Sequence, residues 1–270
     1  MSRRRFTIPC EGSAMGATLD GTLEGAKAVL LILSGGNEIR SGTWEGQAWL
    51  AEELARAGFP VLRFDRRGVG DSEGANATYR GSAPDIAAAL GWLRAQAPQA
   101  RIVALGNCDA ASALMLGAGC GADGLILSNP WTIEGEDELA SAEARADAQV
   151  SSLRAHYRAR LANPAALLRL LSGKVSLRSL IGSLIALAKP RAAAPTPETL
   201  ATRMAAGLAR FAGPVSILIA GKDRTALAFV AAWDGKDQRI ARCEGASHSF
   251  VEAEARLWLL KQVIKVLDAK

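Results

Sequence analysis

The segment Arg101-Ile-Val-Ala-Leu-Gly-Asn-Cys-Asp-Ala-Ala-Ser112 decides how this 270-residue chain is interpreted. Residues 102–105 are apolar and β-prone, which is typical of a short buried strand in a parallel sheet. An alanine-rich run with high helix propensity follows from residue 110 to residue 118. The sequence therefore predicts a strand, a tight turn and a helix, with Cys108 at the apex of the turn.

A reactive side chain between a strand and a helix is the layout of a nucleophile elbow, whose usual pattern is G-x-S-x-G. Here the pattern is Gly106-x-Cys108-x-Ala110. Small residues are needed on either side of the nucleophile because the strand and helix backbones approach closely in this strained turn. The N-terminus of the helix favours a thiolate at Cys108. A buried cysteine that packs as a small hydrophobe is the alternative interpretation of this stretch alone.

The composition limits the classes of protein to which the chain can belong. Hydrophobic residues make up 49% of the sequence, and the length suits one large α/β domain or a domain with an insertion. The cysteines and histidines form no CxxC pair and no metal-ligand spacing, so the sequence predicts neither a metal nor a cofactor. They are Cys10, Cys108, Cys120, Cys243, His156 and His248.

The charge and hydropathy pattern indicates a cellular compartment. Residues 1–6 are basic but no apolar run follows them, so no signal peptide is expected. No stretch has the roughly 18 consecutive apolar residues of a membrane span. We therefore expect a soluble cytoplasmic protein, with peripheral attachment to the inner membrane as an alternative.

Strand patterns alternate with helical patterns along most of the chain. The first two strands are close enough to form an antiparallel hairpin, and the alternation after them predicts a mostly parallel sheet with helices on both faces. The predicted strands are 6–10, 14–19, 27–33, 59–64, 102–105, 124–127, 214–220 and 239–243, and the predicted helices include 44–57, 82–97, 225–233 and 250–267.

The pattern changes between residues 131 and 212, where no convincing strand occurs and helical stretches are broken by prolines. We expect this segment to be a helical cap inserted into a core made of residues 1–130 and 213–270. A cap at this point would cover the carboxyl edge of the strands, where open α/β sheets bind their ligands.

Three reactive side chains follow separate predicted strands in the order Cys108, Asp223, His248. A thiolate attacks a carbonyl carbon, an imidazole takes and returns the proton, and a carboxylate fixes the tautomer of the imidazole. Asp223 has an alternative role as a helix cap, and Asp234 and Asp237 are the reserve candidates for the acid.

The oxyanion of the reaction intermediate also needs hydrogen-bond donors. We expect these to be the backbone N–H groups of Asp109 and of the turn formed by Gly36 and Asn37. Both lie directly after predicted strands, where the sheet edge brings them to the same side as Cys108.

The chain resembles the α/β-hydrolase superfamily over nearly its whole length. The loop Phe64-Asp-Arg-Arg-Gly-Val-Gly-Asp-Ser-Glu-Gly74 matches the superfamily pattern Asp-x-Arg-Gly-x-Gly-x-Ser. More narrowly, the chain resembles the exosortase A system-associated hydrolases, type 1, which are bacterial proteins encoded with exopolysaccharide and protein-sorting genes. The resemblance implies an α/β-hydrolase fold and a cysteine-centred hydrolase of undefined substrate. The narrower resemblance lies in Gly35–Asn37, Gly106–Ser112, Asn129–Trp131, Gly221–Ala226 and Glu244–Phe250.

Two functions follow as hypotheses. The first is hydrolysis or transfer of the acyl group of an ester, thioester or amide through an acyl-Cys108 intermediate, on a small or lipid-linked substrate. The second is a catalytically silent binding or assembly protein of the same fold. Residues 150–212 carry ten Lys or Arg and one acid. This basic segment suits an anionic membrane surface or an acidic polysaccharide, but it has few aromatic residues to bind nucleic acid.

Overall fold

The computed structural model describes residues 2–134 and 199–269. The strands in these residues are β1 (Arg3–Cys10), β2 (Ser13–Asp20), β3 (Ala28–Leu33), β4 (Val61–Phe64), β5 (Arg101–Asn107), β6 (Gly124–Ser128), β7 (Val215–Ala220) and β8 (Ile240–Cys243). They form one sheet in the order β1-β2-β4-β3-β5-β6-β7-β8. Strand β2 runs antiparallel to β1 and β4, and the remaining pairs are parallel. The predicted hairpin and mostly parallel sheet are confirmed.

Helices cover both faces of this sheet. Those in the described residues are α1 (Gly46–Arg56), α2 (Ala83–Gln96), α3 (Asp109–Leu116), α4 (Leu200–Ala209), α5 (Arg224–Ala232) and α6 (Ala253–Asp268). Helices α1 and α6 pack on one face, and α2, α3, α4 and α5 contribute to the core on the other. The predicted arrangement of layers is therefore confirmed as well.

The central strand β3 explains why its sequence is an unbroken apolar run. Every residue from Ala28 to Leu33 is buried. Alternate residues point to opposite faces, so Val29 and Leu31 pack in one core cluster whereas Leu30 and Ile32 pack in the other. A strand covered on both sides has no position for a polar side chain.

The loop that follows β4 folds around the buried carboxylate of Asp65. This carboxylate accepts hydrogen bonds from the backbone and side chain of Arg40 and from the backbone N–H of Asp71. Gly70 has a φ of 57°, and a Cβ there would lie 2.4 Å from an Asp65 oxygen, so the position requires glycine. The loop thereby fixes the backbone from which Arg66 extends.

Most of the predicted cap, residues 135–198, lies outside the described residues. Its last part contains helix α4, whose Leu200, Met204 and Leu208 are buried in the main core cluster. Gly207 makes the closest approach to α3, because a Cβ at this position would lie 2.1 Å from the carbonyl oxygen of Met115. Helix α4 thus packs directly on the helix that begins after Cys108.

Candidate active site

Cys108 occupies a sharp turn between β5 and α3. Its φ of 59° and ψ of −124° are rare for a residue with a side chain, and such strain is characteristic of functional sites. A Cβ at Gly106 would lie 2.7 Å from the backbone of Ala110 and Ala111. The small residues around Cys108 are therefore needed for the close approach of strand and helix, as the sequence predicted.

Hydrogen bonds on both sides hold the Cys108 backbone in this conformation. Its N–H donates to the carbonyl oxygen of Ser128 at 2.9 Å, at the end of the neighbouring strand β6. Its carbonyl oxygen accepts from the N–H groups of Ala111 and Trp131 at 3.1 and 3.2 Å. The nucleophile candidate is thus attached to α3 and to the chain that leaves β6.

Asp223 follows β7 and contacts two structures at once. Its carboxylate caps α5 by accepting from the N–H groups of Thr225 and Ala226 at 3.2 and 3.0 Å. The same carboxylate lies 2.8 Å from Nδ1 of His248. An ionised carboxylate only accepts, so Nδ1 carries the proton and Nε2 is left for proton transfer. The helix-cap contacts and the contact with His248 are therefore compatible with each other, and the role of Asp223 as the acid stays a prediction.

The two reserve candidates for the acid are held elsewhere. Asp237 accepts from Trp233 Nε1 at 2.9 Å and pairs with Arg239 at 2.7 Å. The hydrogen bonds from Arg239 and Trp233 hold the pKa of this carboxyl below its ordinary value. Asp234 accepts from the backbone N–H of Lys236 at 3.0 Å. Among the described residues, the carboxylate that contacts the histidine is that of Asp223.

The charge of His248 results from opposing effects. Burial lowers its pKa, whereas the hydrogen bonds to Asp223 and Cys108 raise it, and the result is a pKa raised to about 10. At neutral pH this raised pKa favours the imidazolium form of His248.

Two asparagines that lie in the quoted motifs, but that the sequence analysis did not assign to the site, connect the strand ends to the histidine. Asn129, fully buried after β6, donates to the carbonyl oxygen of His248 at 2.9 Å and accepts from the N–H of Ala220 at 2.8 Å. The side-chain amide nitrogen of Asn107, the last residue of β5, lies 3.4 Å from Nε2 of His248. The signal that could have found them is an asparagine at the end of each of two neighbouring parallel strands.

The turn after β3 lies beside the nucleophile candidate. A Cβ at Gly35 would lie 3.1 Å from the Cβ of Cys108. The next N–H, that of Gly36, is 2.6 Å from Oδ1 of Asp109, the residue after Cys108. The predicted oxyanion donor therefore has an internal carboxylate as its partner, an arrangement that the sequence did not predict.

The other predicted oxyanion donors lie in the same region of the fold. Asp109 is the first residue of α3, where backbone N–H groups lack helical partners. Asn37 is exposed, and its side-chain oxygen accepts from Asn76 at 2.8 Å. The role of each as a donor stays a prediction.

The remaining cysteines and histidine have other surroundings. Burial raises the pKa of the thiols of Cys10 and Cys120, which opposes nucleophilic reactivity. Cys243 ends β8, and His156 lies outside the described residues. Within the part of the chain that is described, every helix is too short or too polar to cross a membrane.

A strained strand-to-helix turn after β5, with an acid after β7 and a histidine after β8, has the layout and chain order of the α/β-hydrolase class, whose residue at this turn is usually serine. Residues 29–258 match the model of the alpha/beta hydrolase family, and the chain belongs to this family of hydrolases. No curated protein sequence matches the chain.

Solved structures have the same fold at low sequence identity. An esterase from Pyrococcus furiosus is 16% identical with a TM-score of 0.60, over 98% of this chain and 89% of that one. A serine hydrolase without lid from Xanthomonas campestris is 16% identical with a TM-score of 0.60, over 100% and 97%. A thioesterase domain from the curacin biosynthetic pathway is 14% identical with a TM-score of 0.58, over 98% and 100%. At these identities the likeness establishes the fold.

Proposed function

We propose that this protein is an esterase-like hydrolase that cleaves an ester, thioester or amide through an acyl intermediate on Cys108. His248 acts as the base and acid, and Asp223 orients it. One observation carries the proposal: the carboxylate of Asp223 after β7 lies 2.8 Å from Nδ1 of His248 after β8, at the same sheet edge as Cys108 on its strained elbow. This geometry supports a Cys-His-Asp triad.

The first half-reaction follows from these positions. The Cys108 thiolate attacks the carbonyl carbon, and the electron pair of the C=O bond moves to the oxygen, which accepts from backbone N–H groups at Gly36 and Asp109. When the intermediate collapses, the bond to the leaving group breaks and Nε2 of His248 supplies its proton. The products are an acyl-thioester on Cys108 and a free alcohol, thiol or amine.

The second half-reaction uses the same groups in the opposite direction. Neutral His248 removes a proton from water as the water oxygen attacks the thioester carbon. Collapse of this intermediate breaks the C–S bond, releases the carboxylic acid and restores the thiolate–imidazolium pair. Thioesters also react with amines and thiols, so transfer of the acyl group to another acceptor uses the same intermediate.

The choice of cysteine distinguishes this chain from solved relatives named as serine hydrolases. The raised pKa of His248 supports a thiolate nucleophile, because an imidazolium at neutral pH stabilises a thiolate but is a poor base for a hydroxyl. We expect Cys108→Ser to keep the fold and to lower the pKa of His248, because the contribution of Cys108 is removed. Its remaining turnover should appear above that lowered pKa, where His248 is neutral and can act as a base.

The proposal is tested with p-nitrophenyl esters of short acyl chains and with iodoacetamide. We expect a burst of one p-nitrophenol per chain and one alkylated thiol at Cys108. Cys108→Ala and His248→Ala should each reduce turnover by at least about 10³-fold, and the double variant should be no worse, because the residues act as a unit. Cys243→Ala is the matched control and should keep the burst. Wild-type turnover in His248→Ala would contradict the triad.

A catalytically silent binding protein is the second candidate. The observation that favours it is the Asp109 carboxylate on the N–H of Gly36, which occupies a position that an oxyanion would need. In this case neither a burst nor selective alkylation of Cys108 is expected.

We also propose a link to bacterial exopolysaccharide and protein-sorting systems of the exosortase type. The support is the motif resemblance, above all Gly106–Ser112 and Glu244–Phe250. The basic segment 150–212 is proposed to contact an anionic membrane surface or an acidic polysaccharide. Deletion of the gene in its own host, with exopolysaccharide export and protein sorting as readouts, tests the link. Unchanged export and sorting would contradict it.

A further inference from the structure

The arrangement around Gly36 differs from a site that is ready for reaction. Asp109 Oδ1 lies 2.6 Å from the N–H of Gly36, and this turn is in contact with the nucleophile candidate through Gly35 and Cys108. The carboxylate is a negatively charged oxygen on the donor that an oxyanion would use. Acyl transfer by the proposed function therefore requires the Asp109 side chain to leave this position.

Arg66 lies next to this carboxylate and is almost fully buried, with 4% of its side chain exposed. Its Nη2 donates to the carbonyl oxygen of Gly36 at 2.6 Å and lies 3.4 Å from both oxygens of Asp109. Its Nη1 is buried and has no hydrogen-bond partner among the described residues. A buried donor without a partner is costly, so this guanidinium, which contacts Gly36 and Asp109 through Nη2, has an unused donor on Nη1.

The neighbouring arginine, Arg67, is paired with two carboxylates. Arg67 donates from Nε to Asp85 and from Nη1 to Glu11, each at 2.6 Å. Arg67 connects the turn between β1 and β2, helix α2 and the loop after β4, which is a structural role. Arg66 differs because its guanidinium is incompletely paired although it is more deeply buried.

We infer that Arg66 is a positioning residue that removes Asp109 from the oxyanion hole. The carboxylate has two positions: on the N–H of Gly36, as observed, and on the Arg66 guanidinium with Nη1 engaged. Two parallel N–H···O bonds to a guanidinium are stronger than one bond to a backbone N–H. In the second position the N–H of Gly36 is available to the substrate oxygen. The inference rests on the proposed function.

The second position also improves the electrostatics of the reaction. A carboxylate beside the nucleophile repels both the thiolate and the developing oxyanion. Pairing with Arg66 offsets that charge. The substrate carbonyl thus competes with Asp109 for one donor, and Arg66 determines the outcome of that competition.

The test compares Arg66→Met, Asp109→Ala and the double variant with the wild type. Two rates are measured on each: acylation by p-nitrophenyl acetate, which needs the oxyanion hole, and alkylation of Cys108 by iodoacetamide, which does not. We expect the ratio of acylation to alkylation to fall by about 10- to 100-fold in Arg66→Met. In the double variant the ratio should return to within a few-fold of that of Asp109→Ala.

The possible outcomes separate the explanations. If Arg66 only attracts the thiolate, both rates fall together and the ratio is unchanged. If Arg66 only holds the Gly36 loop in place, the double variant keeps the low ratio of Arg66→Met. An unchanged ratio in Arg66→Met or a low ratio in the double variant overturns the inference. If Arg66→Met does not fold, Asp109→Ala provides the test. The inference requires its ratio of acylation to alkylation to equal or exceed that of the wild type, and a lower ratio overturns the inference. Absence of both reactions in the wild type overturns the proposed function instead.

Discussion

The protonation of His248 depends on single contacts that can be separated by substitution. Its pKa is raised to about 10 because, although burial disfavours the charge, Asp223 and Cys108 stabilise the imidazolium. The folded state therefore binds the proton more tightly than the unfolded state. The resulting contribution to stability is fully present below about pH 6.5 and is lost as the pH rises through about 10.

Asp223→Asn is the substitution that isolates this effect. Asparagine is as good a helix cap as aspartate, so the contacts with Thr225 and Ala226 are kept while the charge is removed. We expect the pKa of His248 to fall from about 10 towards 6.5, and kcat to fall by about 10³- to 10⁴-fold. The His248 Cε1 proton is followed by NMR in a His156→Gln background.

Asp237→Asn is the matched control for that experiment. Its carboxylate is held by Arg239 and Trp233, so the titration of His248 should stay as in the wild type. If Asp223→Asn left the pKa unchanged, or Asp237→Asn lowered it, the assignment of the acid would be wrong.

At the scale of secondary-structure elements, Asn129 joins three of them at the carboxyl edge of the sheet. It connects the end of β6 with β7 through Ala220 and with the loop after β8 through the carbonyl of His248. We expect Asn129→Ala to lower the free energy of unfolding by about 1–3 kcal/mol, because a buried N–H loses its acceptor. Activity should fall mainly in kcat, since the base loses its support.

Asn129→Asp is the informative comparison for this prediction. Aspartate keeps an acceptor for the N–H of Ala220 but cannot donate to the carbonyl of His248 when ionised. It should therefore recover part of the stability at high pH without recovering kcat. Urea unfolding and steady-state kinetics on both variants measure this, and equal kcat in all three proteins would refute a positioning role.

The contact of α4 with α3 gives a second prediction at this scale. Gly207→Ala places a methyl group against the backbone of Met115, and we expect a loss of about 1–3 kcal/mol of stability. Gly91→Ala in α2 is the control, since a Cβ there meets nothing within 4 Å. Alanine at that position should stabilise the protein by up to about 1 kcal/mol. The urea midpoints of unfolding of the two variants measure this difference. An equal shift in Gly207→Ala and Gly91→Ala would contradict the packing argument.

The elements themselves were largely predictable because their patterns are local. The apolar run at 27–33 forms β3 (Ala28–Leu33), and the helix expected at 225–233 forms α5 (Arg224–Ala232). The sequence analysis places helix α4 in the cap because no strand pattern occurs between residues 131 and 212. Its packing on α3 depends on Gly207 meeting Met115, a contact between distant segments that no local pattern encodes.

At the scale of the whole molecule, the parts of the site that follow from local sequence patterns were predictable, whereas the contacts between distant segments were not. The strand ends carrying Cys108, Asp223 and His248 converge because parallel strands end at one edge, which the element order already implies. The pairing of Gly36 with Asp109 depends on one side-chain rotamer across 73 positions of sequence. Likewise, that Nη1 of Arg66 has no partner among residues 2–134 and 199–269 depends on the three-dimensional placement of several loops, which no local pattern encodes.

The distribution of charge over the molecule leads to the last prediction. Residues 150–212 have an excess of nine basic residues, which exceeds the whole-chain net charge of +5 and makes the rest of the chain acidic. We propose that this basic segment binds an anionic membrane surface. Each basic residue close to such a surface contributes about 1 kcal/mol, and salt screens the attraction over about 10 Å at 0.1 M.

Co-sedimentation with vesicles measures this binding. We expect binding to vesicles that contain phosphatidylglycerol at low salt, weaker binding at physiological salt, and none to neutral vesicles. Lys174→Gln with Arg178→Gln should weaken binding by about 10- to 30-fold. Lys236→Gln with Lys261→Gln removes the same charge at exposed positions outside the segment and should have a much smaller effect. Equal weakening by both pairs of substitutions would mean that the net charge of the protein, and not the basic segment, attracts the membrane. No binding at low salt would contradict the membrane proposal itself.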